Sequence, residues 1–204
     1  MEKLILTDVD GAVLDWLTPF EEFAIEKGCK IIVDNKDSYL LAQRLDVNLT
    51  KLTQLLNEFN TSDRVANLEP LPGAVEYITK LYNEGFSFSA ITSIGQHPAT
   101  GRLRHANMQK HFGDVFNKRI HHLPMGASKK EMLSKWEHTG TLWVEDHYDH
   151  ALAGHKLGLN SVLITHPYNA HHNVPFARVD LNTAWQEIYR MATHEDSKSL
   201  LQTM

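Results

Sequence analysis

The chain has 204 residues, of which 42% are hydrophobic and 22% are charged, and its formal net charge is −5. This length gives room for one substantial domain, or for one domain with a small insertion. The net negative charge argues against a nucleic-acid polymer as a partner. No apolar run approaches the ~20 residues that a membrane-spanning helix needs, so no membrane association is expected.

The single cysteine, Cys29, excludes an internal disulfide framework and fits a reducing compartment. The first residues pass directly into an apolar run and show no signal-peptide pattern. We therefore expect a cytoplasmic protein. The sequence does not define the oligomeric state, and a homodimer is left open.

Four short apolar runs predict buried strands, and helical patterns lie between them. The predicted strands cover residues 3–7, 86–92, 141–145 and Asn160–Thr165. The helical patterns cover residues 72–84, 100–112, 128–136 and 149–157, and an amphipathic pattern closes the chain at 181–203. Strands that alternate with helices predict an α/β fold with a central parallel sheet covered on both faces.

Residues 16–71 interrupt this alternation, and the segment is too long for a plain loop. It contains helical patterns at 19–27, 37–45 and 48–59 and a short extended piece at 30–33. We interpret the segment as a small helical cap over the carboxyl end of the first strand. Residues 1–15 and 72–204 then form the predicted core.

Two carboxylates, Asp8 and Asp10, follow the first predicted strand and precede Gly11. Open α/β sheets bind their ligands at the carboxyl ends of the strands. Two carboxylates this close repel each other unless a cation lies between them or one of them keeps a proton. The pair is therefore typical of a magnesium-dependent phosphoryl-transfer site, although aspartates also form turns at strand ends.

Further polar residues follow the other strands or begin a helix, and they are expected to converge on the same crevice. They are the hydroxyls of Thr92 and Ser93, the ammonium groups of Lys129 and Lys130, and the carboxylates of Glu145 and Asp146. In phosphate-ester hydrolysis one carboxylate attacks phosphorus and a second carboxyl group transfers the proton. A hydroxyl and an ammonium group hold the phosphoryl oxygens, and Mg²⁺ binds hard oxygen ligands.

In type and order these residues resemble the motifs of the haloacid dehalogenase superfamily of phosphohydrolases. The resemblance implies a Rossmann-like core with a cap inserted between the first two motifs, and an aspartyl-phosphate mechanism with Mg²⁺. It makes Asp8 the nucleophile and a metal ligand, and Asp10 the general acid/base whose backbone carbonyl also binds the metal. The other implied roles are phosphoryl binding for Thr92 or Ser93, charge neutralisation for Lys129 and metal binding for Asp146.

The opening motif also resembles that of the 5'(3')-deoxyribonucleotidases, which carry an aspartate and an aromatic residue at the places of Asp15 and Trp16. This resemblance implies a small phosphorylated substrate, a (deoxy)nucleoside monophosphate, with Trp16 and Phe20 stacking on its base. Phe20 and Phe23 at helical spacing are equally typical of packing inside the cap. Two alternatives stay open: a phosphatase for a sugar phosphate or another small phosphometabolite, and a non-catalytic phosphate-binding or regulatory module.

The chain departs from the superfamily pattern after the acidic pair. The usual second acid would stand at the place of His150, so either Asp149 shifts into the metal shell or the second acid is absent. His147 and His150 lack the spacing of a zinc motif, and we expect them to contact substrate or solvent.

Two pairs of basic residues are candidates for binding anionic groups of a substrate. Lys129 follows a serine, as in several members of the superfamily, and is preferred over Lys130 as the phosphate-site lysine. Arg102 and Arg104 stand near enough to the hydroxyl motif to reach a second anionic group, but as helix residues both are expected to be solvated.

Overall fold

A parallel sheet runs through the centre of the computed structural model, which describes residues 3–35, 37–117 and 119–193. Its strands are β1 (Leu4–Thr7), β2 (Ser87–Thr92), β3 (Ile120–His122), β4 (Leu142–Glu145), β5 (Asn160–Thr165) and β6 (Ala177–Asp180). Their order across the sheet is β3-β2-β1-β4-β5-β6, and neighbouring strands are parallel. The order reverses on the two sides of β1, which places the ligand crevice at the carboxyl end of that strand.

The helices lie between the strands in the chain. They are α1 (Leu17–Glu26), α2 (Leu41–Arg44), α3 (Leu49–Asn60), α4 (Ala74–Asn83), α5 (Pro98–Phe112), α6 (Lys130–Leu133), α7 (Tyr148–Lys156) and α8 (Ala184–Thr193). Short 3₁₀ turns occupy Val33–Asn35, Asp63–Asn67 and Ser134–Trp136. None of the helices in the described ranges combines the length and the hydropathy of a membrane-spanning segment.

The sheet is buried on both faces, which explains the near-continuous apolar sequence of its strands. On one face Ile5 and Phe88 belong to a large core cluster that includes Trp185 of α8. On the other face Leu6 and Trp143 belong to a second cluster with Leu133 of α6 and Leu157, which directly follows α7. The covered sheet confirms the predicted α/β class and leaves only the ends of the strands available for chemistry.

Helices α1 to α3 follow β1 in the segment that the sequence predicts as a cap, and Phe20 is fully buried among them. Backbone hydrogen bonds join the two chain connections between these helices and the sheet. Asp15 N donates to Glu69 O at 2.8 Å, and Leu71 N donates to Val13 O at 2.8 Å. These bonds hold both connections next to the carboxyl end of β1, so the helices lie above the crevice.

The four predicted strands are confirmed to within one residue, but β3 and β6 were not predicted. β3 has only three residues, and β6 alternates small or apolar with charged side chains at the sheet edge, so neither has a continuous apolar run. The predicted helix at 37–45 is wrong in extent, because only Leu41–Arg44 is helical.

Two other predicted helices also differ from the structure. The predicted helix at 128–136 is divided into α6 and a 3₁₀ turn. The closing helix is confirmed as far as Thr193, and residues 194–203 of that prediction lie outside the described residues.

Two helical glycines provide a test of packing against the sheet. A Cβ at Gly154 would lie 2.4 Å from Trp143 Cδ1 and 3.0 Å from Ser161 Oγ, whereas one at Gly101 would meet only His122 at 3.8 Å. We expect Gly154→Ala to lower the free energy of unfolding by about 1–3 kcal/mol through overpacking. Gly101→Ala should raise it by about 0.5–1 kcal/mol, because alanine is the better helix former. Urea unfolding of both variants measures this, and equal effects would contradict the described packing of α7.

Candidate active site

The carboxyl end of β1 opens onto a cavity of about 710 Å³ between the sheet and the cap helices. Side chains predicted for the site line it from the sheet side: Asp8, Asp10, Thr92, Ser93, Lys129 and Asp146. Trp16, Tyr39 and Arg44 line it from the segment between β1 and α4. The structure therefore brings every predicted site residue except Phe20 to one cavity.

Lys129 lies at the centre of the acidic cluster. The residue is 1% exposed, and Nζ lies 2.8 Å from Asp8 Oδ1 and 2.8 Å from Glu145 Oε1. Lys130 is exposed on the first turn of α6. The start of this helix therefore points one lysine, Lys129, into the cluster and leaves its neighbour in solvent.

Glu145 acts mainly as an internal acceptor. Its Oε1 contacts Lys129 and His150 Nδ1, the latter at 3.0 Å. Its Oε2 accepts hydrogen bonds from the backbone N–H groups of Asp146 at 2.8 Å and His147 at 3.3 Å. The side chain of Glu145 thus fixes both the turn after β4 and the position of Lys129.

Asp146 is held by the segment that follows β5. Tyr168 donates its hydroxyl to Asp146 Oδ2 at 2.5 Å, and Asn169 Nδ2 donates to the Asp146 carbonyl at 2.7 Å. A Cβ at Gly11 would lie 2.4 Å from the same Oδ2, and Gly11 has φ +80°. Only glycine fits at this position, because its backbone passes directly beside the carboxylate.

Asp149 is exposed, and the close group of carboxylates in the described part of the chain consists of Asp8, Glu145 and Asp146. The added carboxylate stands before Asp146 in the sequence, as Glu145, and Asp149 does not join the group.

Burial of these groups perturbs their protonation. Burial, together with the charge of Glu145, raises the pKa of Asp8 to about 7, although Lys129 acts in the opposite direction. Burial also raises the pKa of Asp146 well above its usual range, with further contributions from Glu145 and Asp8. Burial alone would raise the pKa of Glu145, but Lys129 and His150 hold it well below its usual range. One lysine therefore compensates Glu145 and leaves negative charge in excess at the two aspartates.

The donor set fits a hard divalent cation. Ligand atoms of Asp8, Glu145 and Asp146 all lie within 4.8 Å of one another. Both oxygens of Glu145 already accept two contacts each, so Asp8 and Asp146 are the carboxylates best able to bind a metal. Carboxylate oxygens with excess negative charge are the ligands that Mg²⁺ prefers.

Asp10 pairs with an arginine that was expected to be solvated. Arg104 of α5 is 0% exposed, and its Nη2 lies 2.7 Å from Asp10 Oδ1, so that expectation is wrong. Thr100, Arg104 and Met108 share the buried side of α5. This spacing of four residues is the signal that identifies a buried position, and the charge of the side chain concealed it.

The two predicted hydroxyls differ in their surroundings. Thr92, the last residue of β2, is 1% exposed and lies beside Asp10. Ser93 also lines the cavity, and its Oγ donates to the Ala127 carbonyl at 3.0 Å. Both hydroxyls stand where β2 ends, next to the carboxylates that end β1.

The predicted aromatic contacts divide between the cavity and the cap interior. Trp16 lines the cavity, its ring stacks on Phe20 at 4.6 Å between centroids, and its Nε1 donates to Asn60 Oδ1 at 3.1 Å. Phe20 is fully buried behind Trp16 and also contacts the ring of Phe59. The expected contact of Phe20 with a substrate is therefore wrong, because the side chain is used in packing.

Three aromatic residues whose contacts were not predicted from the sequence also meet at the cavity. Tyr39, from the segment before α2, packs edge-on against His147 with 4.3 Å between ring centroids and lies 5.6 Å from Tyr168. Tyr39 lies within the predicted helical pattern at 37–45, and nothing in that pattern indicates a contact with the loop after β4. The contact joins the predicted cap to the loop after β4.

The family model of the haloacid dehalogenase-like hydrolases matches residues 20–164, which is more than half of the chain. The chain belongs to this family. The matched range includes Thr92, Lys129 and Asp146 and begins after Asp8 and Asp10. A protein of Enterobacteria phage T4, described as an uncharacterized 32.4 kDa protein in the Gp30–rIII intergenic region, is 28% identical over 165 residues. That match covers 74% of this chain, and the chain spans only 57% of the length of the phage protein.

Solved structures share the fold at low identity. A haloacid dehalogenase family hydrolase from Deinococcus radiodurans, with bound phosphate and sodium, has a TM-score of 0.62 at 16% identity; the match covers 100% of this chain and 99% of the other. A haloacid dehalogenase-like hydrolase from Streptococcus pneumoniae has a TM-score of 0.64 at 10% identity and coverages of 92% and 98%. CbbY from Rhodobacter sphaeroides, in complex with phosphate, has a TM-score of 0.59 at 16% identity and coverages of 87% and 93%. These matches confirm the predicted α/β fold of this family.

The raised pKa of Asp8 predicts how the stability of the metal-free protein depends on pH. A carboxyl group with a folded-state pKa of about 7 and an ordinary value of 3.8 stabilises the fold fully only below the lower value. This contribution is lost as the pH rises through about 7. The free energy of unfolding should therefore fall by about 2 kcal/mol between about pH 5.5 and about pH 8. Asp8→Asn should therefore lose less stability than the wild type over that interval.

Chemical unfolding in the presence of a chelator measures the effect, and the comparison of the two proteins cancels the titration of groups that do not interact with Asp8. Addition of Mg²⁺ at about pH 8 should restore stability to the wild type more than to the variant. The same pH dependence in both proteins would contradict the assigned protonation of Asp8.

Proposed function

We propose that the chain is a Mg²⁺-dependent phosphomonoesterase that uses an aspartyl-phosphate intermediate and acts on a small phosphorylated substrate. The observation that carries the proposal is the ion pair of Asp8 with the buried Lys129 at the base of the cavity, beside a second carboxylate, Asp10. Membership of a hydrolase family supports the reaction class. The division into a catalytic core of residues 1–15 and 72–204 and a cap of residues 16–71 is part of the same proposal.

In the proposed reaction the oxygen of Asp8 that Lys129 does not contact attacks the phosphorus of the monoester. The bond from phosphorus to the leaving oxygen breaks as Asp10 donates its proton to that oxygen. Asp10 then removes a proton from water, and the resulting nucleophile attacks the aspartyl-phosphate and releases inorganic phosphate. Lys129 stays beside Asp8 and offsets the negative charge that develops on the phosphoryl oxygens, while the Thr92 hydroxyl stands where it can donate a hydrogen bond to those oxygens. Ser93 would do the same only after its hydroxyl leaves the Ala127 carbonyl.

Asp8 and Asp146, with the backbone carbonyl of Asp10, are the proposed metal ligands. When bound, Mg²⁺ supplies positive charge that lets an anionic phosphate approach anionic carboxylates. The excess of buried carboxylates over ammonium groups supports this assignment. A cytoplasmic location belongs to the same proposal, since Mg²⁺ and small phosphorylated metabolites are available there.

The cap side of the cavity supports a (deoxy)nucleoside monophosphate as substrate. The Trp16 indole stacks on Phe20, meets the ring of Phe59 at right angles and also lines the cavity, so the part of the ring that lines the cavity is available to stack on a base. Leu41 and Leu56 extend this apolar wall, and Arg44 is already paired with Glu21. A flat apolar surface suits a nucleobase better than a sugar with many hydroxyl groups, which would need more hydrogen-bond partners.

A panel of monophosphates tests the reaction and the substrate class together. We expect Mg²⁺-dependent release of phosphate, fastest from nucleoside monophosphates, and a loss of about 10³-fold or more in Asp8→Asn, since the nucleophile is removed. Faster turnover of sugar phosphates would favour the alternative phosphatase. Tight phosphate binding without turnover would favour the non-catalytic module, and equal activity of the two proteins would exclude Asp8 as nucleophile.

Substitution of Trp16 tests base stacking. Trp16→Ala should raise KM for a nucleoside monophosphate about tenfold or more, because stacking contributes about 1–3 kcal/mol per base. Trp16→Phe should retain most of the affinity. Acetyl phosphate, which carries no base, is the control substrate, and its KM should not change in either variant. An equal rise for both substrates would show that the indole supports the fold of the cavity and does not contact a base.

A further inference from the structure

Arg104 is a buried cation that the proposed reaction does not use. Its side chain has no exposure to solvent, a condition that arginine seldom adopts unless it is paired. The partner is Asp10, whose Oδ1 lies 2.7 Å from Nη2. Among the described residues no other carboxylate forms an ion pair with this guanidinium. The pairing thus joins α5 directly to the carboxylate that follows β1.

The surroundings of Arg104 do not explain its burial as a contribution to stability. The buried Nε, Nη1 and Nη2 atoms make no hydrogen bond within the described ranges, so the contact of Nη2 with Asp10 is an ion pair. The charged or titratable neighbours are His122 of β3, which is affected by the charge of Arg104, and His105 on α5 itself. A buried ion pair with unused donors is weak evidence of stabilisation, since desolvation offsets the attraction. The need to hold Asp10 in place explains the burial of Arg104 better.

The contact restricts one oxygen of Asp10 and leaves the other side of the carboxyl group available. Oδ1 is buried beside the guanidinium, yet the side chain as a whole is 17% exposed and lines the cavity. General acid–base catalysis depends on the proton-carrying atom lying within hydrogen-bond reach of the reacting oxygen. A fixed Oδ1 keeps the carboxyl group in one orientation relative to that oxygen.

We propose that Arg104 is a positioning residue that holds Asp10 in the orientation needed for proton transfer to the leaving group and from water; this inference rests on the proposed phosphomonoesterase function. Arg104 is not among the residues that line the cavity. It acts through Asp10, and its removal should therefore impair the step that needs proton transfer and leave substrate binding unchanged.

The test compares substrates that differ in their need for a general acid. We expect Arg104→Met to lower kcat for a nucleoside monophosphate, whose alkoxide leaving group needs a proton, by about 10–100-fold. This is less than the roughly 10²–10⁴-fold that a general acid contributes, because Asp10 itself stays in place. The loss for p-nitrophenyl phosphate, whose leaving group needs little protonation, should be smaller, and KM should change little for either substrate. Arg104→Lys should retain part of the activity, because it keeps the charge. Arg102→Met, an exposed site on the same helix, is the matched control and should match the wild type.

A double-mutant cycle with Asp10→Asn separates positioning from a general structural role. If Arg104 acts through Asp10, then Arg104→Met should cost almost nothing further in the Asp10→Asn background. Equal losses on both substrates, or the same loss in both backgrounds, would overturn the inference while the phosphatase activity of the wild type stands. Absence of monophosphate hydrolysis by the wild type would instead overturn the proposed function and this inference with it. If Arg104→Met does not fold, Arg104→Lys and its double variant with Asp10→Asn give the same comparison.

Discussion

The contact of one buried lysine with two carboxylates determines the arrangement of the whole site. Lys129 precedes α6, Asp8 follows β1 and Glu145 ends β4, so the two contacts of 2.8 Å join three segments that are distant in sequence. A buried ammonium group without partners would be costly, and so would two buried carboxylates without a cation. Each of the three side chains is therefore tolerated only because the other two are in place.

The second oxygen of Glu145 extends this constraint to the backbone. By accepting hydrogen bonds from the N–H groups of residues 146 and 147, it fixes the turn that carries Asp146. Tyr168 and Asn169 hold Asp146 from the opposite side, and Gly11 leaves room for its carboxylate. The cost of this arrangement is an excess of buried negative charge, which a metal ion would offset. Such local conflicts with stability are expected at functional sites, because a protein that binds a cation must first collect its ligands.

Much of the fold and of the site could be predicted from the sequence because the site lies at the ends of apolar strands. The runs that became β1, β2 and β4 are each followed directly by polar residues, and a parallel sheet necessarily brings those ends together. What could not be predicted depends on side chains whose role is decided by tertiary contacts. Arg104 has the residue type of a surface position but the spacing of a core position, and the contacts of Glu145 with Lys129 and His150 are formed only in the folded chain.

The cap also shows which side-chain roles could not be predicted from the sequence. Helical spacing correctly placed Phe20 and Phe23 on an apolar face. The spacing alone does not show which aromatic residue of the cap faces the cavity. Trp16 precedes α1, its ring covers Phe20, and its indole N–H is held by Asn60 of α3. The residue proposed to contact the base is thus fixed by the cap helices, while Asp10, only a short loop earlier, is fixed by α5. Backbone bonds between residues 13–15 and 69–71 tie that loop to the cap connection. The residue proposed to stack on the base and the residue proposed to transfer the proton are therefore joined through the short segment of chain that follows β1.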